Sequence, residues 1–266
     1  MADASVTAGQ RPRLLDGFLG FAETVGGIGT LGFRATAALL IPPWEVRAWV
    51  RQAEQIGVRS LGVAAITTVF TGMVLALQTA YSLPSLGVKY YIGTVVSKSL
   101  TRELGPVLIG LIVGGRVGSG MTAELGTMRV TEQISALRAM AADPVRKLVT
   151  PKLAASLVML PALTVLGDIM GILGGGIIAV FQLRISAGLY LNDVLTALTL
   201  GDVLSGLGKS FVFAFLITII ACWHGLTTRG GADGVGKATT NTVVMSSIAV
   251  LVSDFFLTKL FYLMGA

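Results

Sequence analysis

Thr101 to Pro151 reads TRELGPVLIGLIVGGRVGSGMTAELGTMRVTEQISALRAMAADPVRKLVTP, and the character of the chain changes halfway along it. The first half continues an apolar run that carries Lys98, Arg102 and Glu103 at a depth where a membrane helix is normally uncharged. The second half, from about Thr122 to Asp143, reads as a water-compatible amphipathic helix set between two membrane spans. Val130, Ile134, Leu137 and Met140 recur at helical spacing on one face, with Glu124, Arg129, Glu132 and Arg138 elsewhere around it. Asp143-Pro144 ends that helix, because the residue before a proline is pushed out of the α region. Such a helix suits docking onto a soluble partner and is equally compatible with lying flat on lipid headgroups.

Composition supports the membrane reading. The chain has 266 residues, 53% of them hydrophobic and 13% charged, with a mean hydropathy of +0.80, well outside the soluble range. One polytopic domain is expected. The formal net charge of +6 does not argue for nucleic acid, since the basic residues fall in loops beside the spans. Cys222 is the only cysteine and cannot form an intrachain disulfide. The opening MADASVTAGQRPRLLDG has no compact apolar core before a small-residue cleavage site, so no cleaved signal peptide is expected.

Outward from the central stretch, the apolar runs predict five spans, at about Ser60–Tyr81, Tyr91–Val113, Lys152–Phe181, Gly208–Leu226 and Val243–Leu263. Leu14 to Ile41 is broken by Asp16, Glu23, Arg34 and six glycines and is expected to lie in the interface. After Pro42-Pro43 comes a basic connector with Trp44 and Trp49 suited to the headgroup level, and Ser82 to Lys89 reads as a short outer turn. Gln182 to Leu207 reads as a partly helical outer loop. The division is therefore an N-terminal cytoplasmic and interfacial segment, 1–59, and a five-span domain, 60–266. Arginines at 11, 13, 34, 47, 51 and 59, another basic group between Arg116 and Lys152, and Arg229 with Lys237 all fall on one side, against Lys89, Arg184 and Lys209 on the other. The positive-inside rule makes the first side cytoplasmic and puts the two termini on opposite faces. Gly110 with Gly114, and Gly171 with Gly175, are spaced for close helix approach.

Several charged residues fall inside the spans. Arg102 and Glu103 are adjacent, point about 100° apart on a helix and cannot neutralise one another, so each needs a partner from another segment. Pro106 cannot donate to the carbonyl of Arg102, which places a kink beside the charges. That combination suits a transport cavity, the plainer alternative being an ion pair that staples the bundle. Asp202 and Lys209 lie seven apart and share a face if helical, Lys209 being able either to snorkel or to contact a headgroup. Asp254 requires a polar cavity or a partner, and Asp168 could reach the outer interface if its span tilts. Gly231 to Ala238 almost spells a phosphate-binding loop, but Ala238 stands where Ser or Thr is needed, and the stretch reads as a flexible turn. His224 reads as a satisfied or interfacial histidine. Nothing resembles a nucleophile, metal or paired-carboxylate constellation, which argues against catalysis by this chain alone.

The run RELGPVLIGLIVGGRVGSGMTAELGTMRVTEQISALRAMAADP resembles the MlaE (YrbE) permease family, the membrane subunits of MCE-type ABC lipid transporters. So do Gly72-Met73-Val74-Leu75-Ala76-Leu77-Gln78, Lys237-Ala238-Thr239-Thr240, Ser246-Ser247 and Asp254, and the likeness runs from about Leu14 to Leu263. The resemblance implies an all-α fold with an interfacial N-terminal helix, five membrane helices and a cytoplasmic coupling helix between spans two and three. It implies a homodimer in the bacterial inner membrane, an ABC ATPase that carries the ATP and magnesium, a periplasmic MCE-domain protein and a small STAS-domain subunit. It also implies phospholipid as substrate and a part in outer-membrane lipid asymmetry. Carried over by position, Arg102, Glu103, Asp202, Lys209 and Asp254 match polar cavity residues, and Val74, Leu77, Gln78 and Tyr81 match the lipid path. Glu124, Arg129, Glu132, Ile134, Leu137 and Arg138 match the coupling segment. One departure is Asn241, where relatives carry a basic residue. Two rival readings are a proton-coupled secondary transporter, which would work as a single chain without ATPase, and a non-transporting scaffold for a periplasmic ring, whose cavity charges could be neutralised without consequence.

Overall fold

A computed structural model describes residues 13–42, 45–82 and 91–263, with side chains of the first helix from residue 22 onward. Trp44 and the outer turn after Ser82 lie outside the described residues. Among these residues the chain is helical with no strands, as a bilayer demands, because a helix satisfies its own backbone groups where water is absent. Five helical stretches are long and apolar enough to cross a membrane: Val46–Ser82, Ile92–Val130, Val145–Phe181, Leu200–Thr227 and Gly231–Leu263. The chain is a multi-pass membrane protein.

The helices in order are α1 (Arg13–Leu40), α2 (Val46–Ile56), α3 (Val58–Ser82), α4 (Ile92–Ser99), α5 (Gly105–Val113), α6 (Ser119–Val130), α7 (Gln133–Ala139), α8 (Thr150–Phe181), α9 (Ala187–Ala197), α10 (Leu200–Thr227) and α11 (Gly231–Leu263). Wider π-helical turns at Leu100–Leu104 and Gly114–Gly118 join α4, α5 and α6 into one run, and a third at Val145–Val149 leads into α8. Pro161 is carried inside α8 without ending it.

Packing follows the small residues. α3 crosses α8 at Gly72, where a Cβ would fall 1.8 Å from the carbonyl oxygen of Gly171, and at Gly174, where one would fall 2.2 Å from that of Val69. Gly114 likewise meets Ser246 of α11. The centre is filled by Ile109, Val113, Leu160, Leu163, Phe213, Ile217 and Val250, drawn from α5, α8, α10 and α11. α1 lies against one end of this bundle: Leu31 and Ala35 pack with Val149, Leu153 and Ile219, and Gly27 leaves room for the ring of Trp223. Six glycines do not break it.

At the opposite end α9 is capped by Ser186 and clamps the start of α4, Asp193 accepting from Thr94 N at 2.8 Å and Thr94 Oγ1 at 2.5 Å. Tyr190 Oη donates to the Ile172 carbonyl at 2.8 Å. Burial and the Asp193 carboxylate push its phenol up, so it stays a donor.

Three expectations are corrected. α10 begins at Leu200, ahead of the expected Gly208, because Thr199 and Asp202 form a capping box that starts the helix early. Gly231 to Ala238 is not a turn but the opening of α11; the turn is confined to Gly230 and Gly231, at φ +91° and +67°, and Asp233 complements the helix start. The amphipathic stretch is split: α6 ends at Val130, Glu132 takes a left-handed conformation at φ 59°, and α7 starts afresh at Gln133.

Candidate functional site

Pro106 sets up the polar site. Its ring nitrogen leaves the Arg102 carbonyl without a helical donor, and the turn holding that carbonyl, Leu100–Leu104, is π-helical. Lys209 lies nine residues into α10, about 13 Å along the helix from its N-terminal end. Its Nζ donates to the Arg102 carbonyl at 2.9 Å, to Glu103 Oε2 at 2.6 Å and to Thr258 Oγ1 at 2.7 Å. Asp254 Oδ1 lies 3.0 Å from the same nitrogen. An ammonium has three protons and here meets four oxygens, which explains why Asp254 Oδ1 has no hydrogen bond and is held by charge alone. Lys209 is 1% exposed, so it does not snorkel to water.

Arg102 turns the other way, as the 100° offset requires, and its Nε lies 3.2 Å from Asp202 Oδ1. Asp202 serves twice: its Oδ2 also accepts from Thr199 N at 2.9 Å and Thr199 Oγ1 at 2.8 Å, fixing the start of α10. The five polar residues singled out in the sequence therefore form one cluster from three stretches of chain. It borders a pocket of about 330 Å³ whose wall includes Lys98, Ser205, Phe261 and Tyr262. Counting Lys98, three cations face three carboxylates, so the site is neutral yet strongly polar.

Thr258 is a member that sequence reasoning missed. It follows Asp254 by four residues, one helical turn on the same face, and its hydroxyl lies 3.2 Å from Glu103 Oε2. Asp168 is not part of the cluster. It packs from α8 against Gly105, where a Cβ would stand 1.8 Å from Oδ1, an atom with no hydrogen bond among the described residues.

Val74, Leu77, Gln78 and Tyr81 lie apart from this pocket, on a face of α3 that is open to the surroundings, Tyr81 being 71% exposed. The coupling residues divide. Glu132 and Arg138 are exposed, Arg129 and Leu137 are half-buried, and Glu124 pairs with buried Lys152 at 2.6 Å. Ile134, expected on the docking stripe, is 1% exposed and turns into the protein, since the left-handed Glu132 resets the helical phase between Val130 and Ile134. The two changes separate accordingly. Ile134→Asp is expected to release α7, seen as faster amide hydrogen exchange over residues 133–139, whereas Glu132→Lys should leave thermal stability within about 0.5 kcal/mol.

His224 is satisfied as expected, with Nε2 at 3.1 Å from Met245 Sδ.

A multi-span bundle with a charge-compensated polar cluster among its spans is the architecture of a membrane permease. The family profile described as Permease MlaE matches residues 49–260, and the chain belongs to the MlaE permease family of ABC transporters. A probable ABC transporter permease protein of Rickettsia conorii is 45% identical over 242 residues, covering 91% of this chain and 93% of that one. The intermembrane phospholipid transport system permease protein MlaE of Haemophilus influenzae is 36% identical over 240 residues, 88% of this chain and 92% of its own. The chloroplastic protein TRIGALACTOSYLDIACYLGLYCEROL 1 of Arabidopsis thaliana is 39% identical over 216 residues, 81% of this chain and 62% of its own.

Proposed function

We infer that this permease moves phospholipid between the bacterial inner membrane and a periplasmic MCE carrier, driven by ATP and magnesium on a separate ABC ATPase chain, and so maintains outer-membrane lipid asymmetry. The observation that carries the reading is the Lys209 cluster, charge-balanced as a whole and presenting Lys98, Arg102, Glu103 and Lys209 to a pocket in an otherwise apolar bundle. A zwitterionic headgroup with acyl chains matches such a wall and its surroundings. The name of the Haemophilus relative supports the substrate.

A second copy of the chain fits the open faces. α3 and α11 are the least buried of the spanning helices, and a two-fold axis beside them would bring Val74, Leu77, Gln78 and Tyr81 toward the pocket. Glu132 and Arg138 then serve as exposed contacts to the ATPase, with a small STAS-domain subunit as a further companion and the N-terminus cytoplasmic.

Glu103 tests the reading. Glu103→Gln keeps the shape and is expected to reduce lipid transfer mildly. Glu103→Lys puts a second ammonium beside Lys209, where Glu103 Oε2 now lies at 2.6 Å, and is expected to abolish transfer while ATPase binding at the distant α7 persists. Lipid delivered to the acceptor is the measurement, with insertion and assembly checked. Normal transfer by an assembled Glu103→Lys complex would remove Glu103 from the pathway. Failed assembly would favour a structural staple, a reading supported by the complete use of the Lys209 protons.

A further inference from the structure

A second cationic groove lies at the other end of the bundle, where α2, α3 and α6 meet. It has a volume of about 250 Å³, and its wall includes Arg59, Arg116, Gln52, Ile56, Met121 and Glu124. Lys152 backs it, 2% exposed, donating to Glu124 Oε2 at 2.6 Å and to Gln52 Oε1 at 3.3 Å. The buried lysine cancels the one carboxylate of the wall. Arg59 and Arg116 are exposed, and among the described residues neither has an ion pair or a side-chain hydrogen bond. The groove thus holds two uncompensated guanidiniums, the side chain best suited to fork onto phosphate oxygens.

Position identifies the ligand. Arg116 follows Ile92 by 24 residues, about 36 Å of helical rise, against a hydrocarbon core of about 30 Å. The groove therefore sits at headgroup level on the side opposite the Lys209 cluster. Arg59, Val63, Ile66 and Phe70 are spaced four, three and four apart, so they share one stripe of α3, and the three apolar residues are 50%, 63% and 61% exposed. The stripe continues through Val74 and Leu77 to Tyr81, the residues assigned above to the lipid path. A phosphate at the foot of an exposed apolar stripe is the shape of a phospholipid standing in the cytoplasmic leaflet.

We propose that Arg59 and Arg116 form a second headgroup site that holds the phosphate of a cytoplasmic-leaflet phospholipid, with its acyl chains along Val63, Ile66 and Phe70. This rests on the phospholipid reading given above and adds a place where lipid meets the permease at the far end of the same helix face.

The test is a photo-crosslinking amino acid at Val63 in the full complex, in native membranes, with the adduct identified by mass spectrometry. The expected adduct is phospholipid. Its yield should fall roughly ten- to thirtyfold in Arg59→Gln/Arg116→Gln and be largely kept in Arg59→Lys/Arg116→Lys, which a merely structural role would not produce. Both arginines are exposed, so the variants should fold. Excess inorganic phosphate should leave the adduct unchanged; suppression by it would mark a soluble-phosphate site and overturn the proposal. So would an adduct to polypeptide, meaning a docked partner, or a lipid adduct indifferent to the arginines. The adduct requires no transport. An arginine-dependent lipid adduct in a complex that transfers no lipid would strike the transport reading alone, and the converse result would strike this site alone.

Discussion

Lys209→Met permease is expected to lose about 3–5 kcal/mol of stability, seen as a drop in detergent melting temperature far beyond that of any exposed substitution. Methionine matches the stem of lysine and removes the ammonium. Glu103, which is half-buried, and the Arg102 carbonyl then lose their shared donor, and the more deeply set Asp254 loses its counter-ion. The cost comes from these stranded acceptors more than from the lost bonds themselves, because an unpaired charge in low dielectric is the expensive outcome. A triple change tests the cause. Lys209→Met with Glu103→Gln and Asp254→Asn removes the stranded charges and should recover much of the stability while leaving transfer defective. If the single variant melts like the parent, the cluster is not a buried network, and its role in the bundle would have to be abandoned.

Gly72→Ala is expected to be at least as damaging. Its Cβ would stand 1.8 Å from the Gly171 carbonyl oxygen, and neither atom belongs to a side chain that can swing away. The two helices must separate, opening the Gly174 contact with Val69 as well. Loss of folded protein from the membrane, followed by fluorescence size-exclusion chromatography, is the expected readout. A control at Gly62, where an added Cβ meets nothing within 4 Å, should be silent. Normal accumulation of Gly72→Ala would mean that α3 and α8 are farther apart than described.

Much of this architecture could be read from residue order. The five apolar runs were plain, because hydrocarbon thickness sets their length. The need of Arg102 and Glu103 for separate partners followed from the angle between neighbours, and Pro106 announced the free carbonyl. What filled that carbonyl could not be read, since Lys209 comes from a helix more than a hundred residues later. Thr258 hid among many threonines that bond only to their own helix. The early start of α10 was encoded in Thr199 and Asp202, but the apolar loop around them masked the cap. Ile134 falls on the exposed stripe in sequence because the apolar spacing runs smoothly past Glu132, and nothing in a glutamate signals a left-handed backbone. The opening of α11 reads as a turn in sequence because its glycines outweigh the helix that packing imposes.

The seam between α3 and α8 also says how this protein can move. Contacts between side chains yield by changing rotamer, and helices joined that way can shear past one another. Where backbone lies on backbone, as at Gly72 on Gly171, no such latitude exists, and α3 and α8 travel as one rigid beam. α11 is different: it is tied to the rest near its C-terminal end by the ammonium of Lys209 on Asp254 and Thr258, links that a change of charge can loosen. Any rocking within this bundle therefore has its stator in the glycine seam and its movable part on the far side of the lysine.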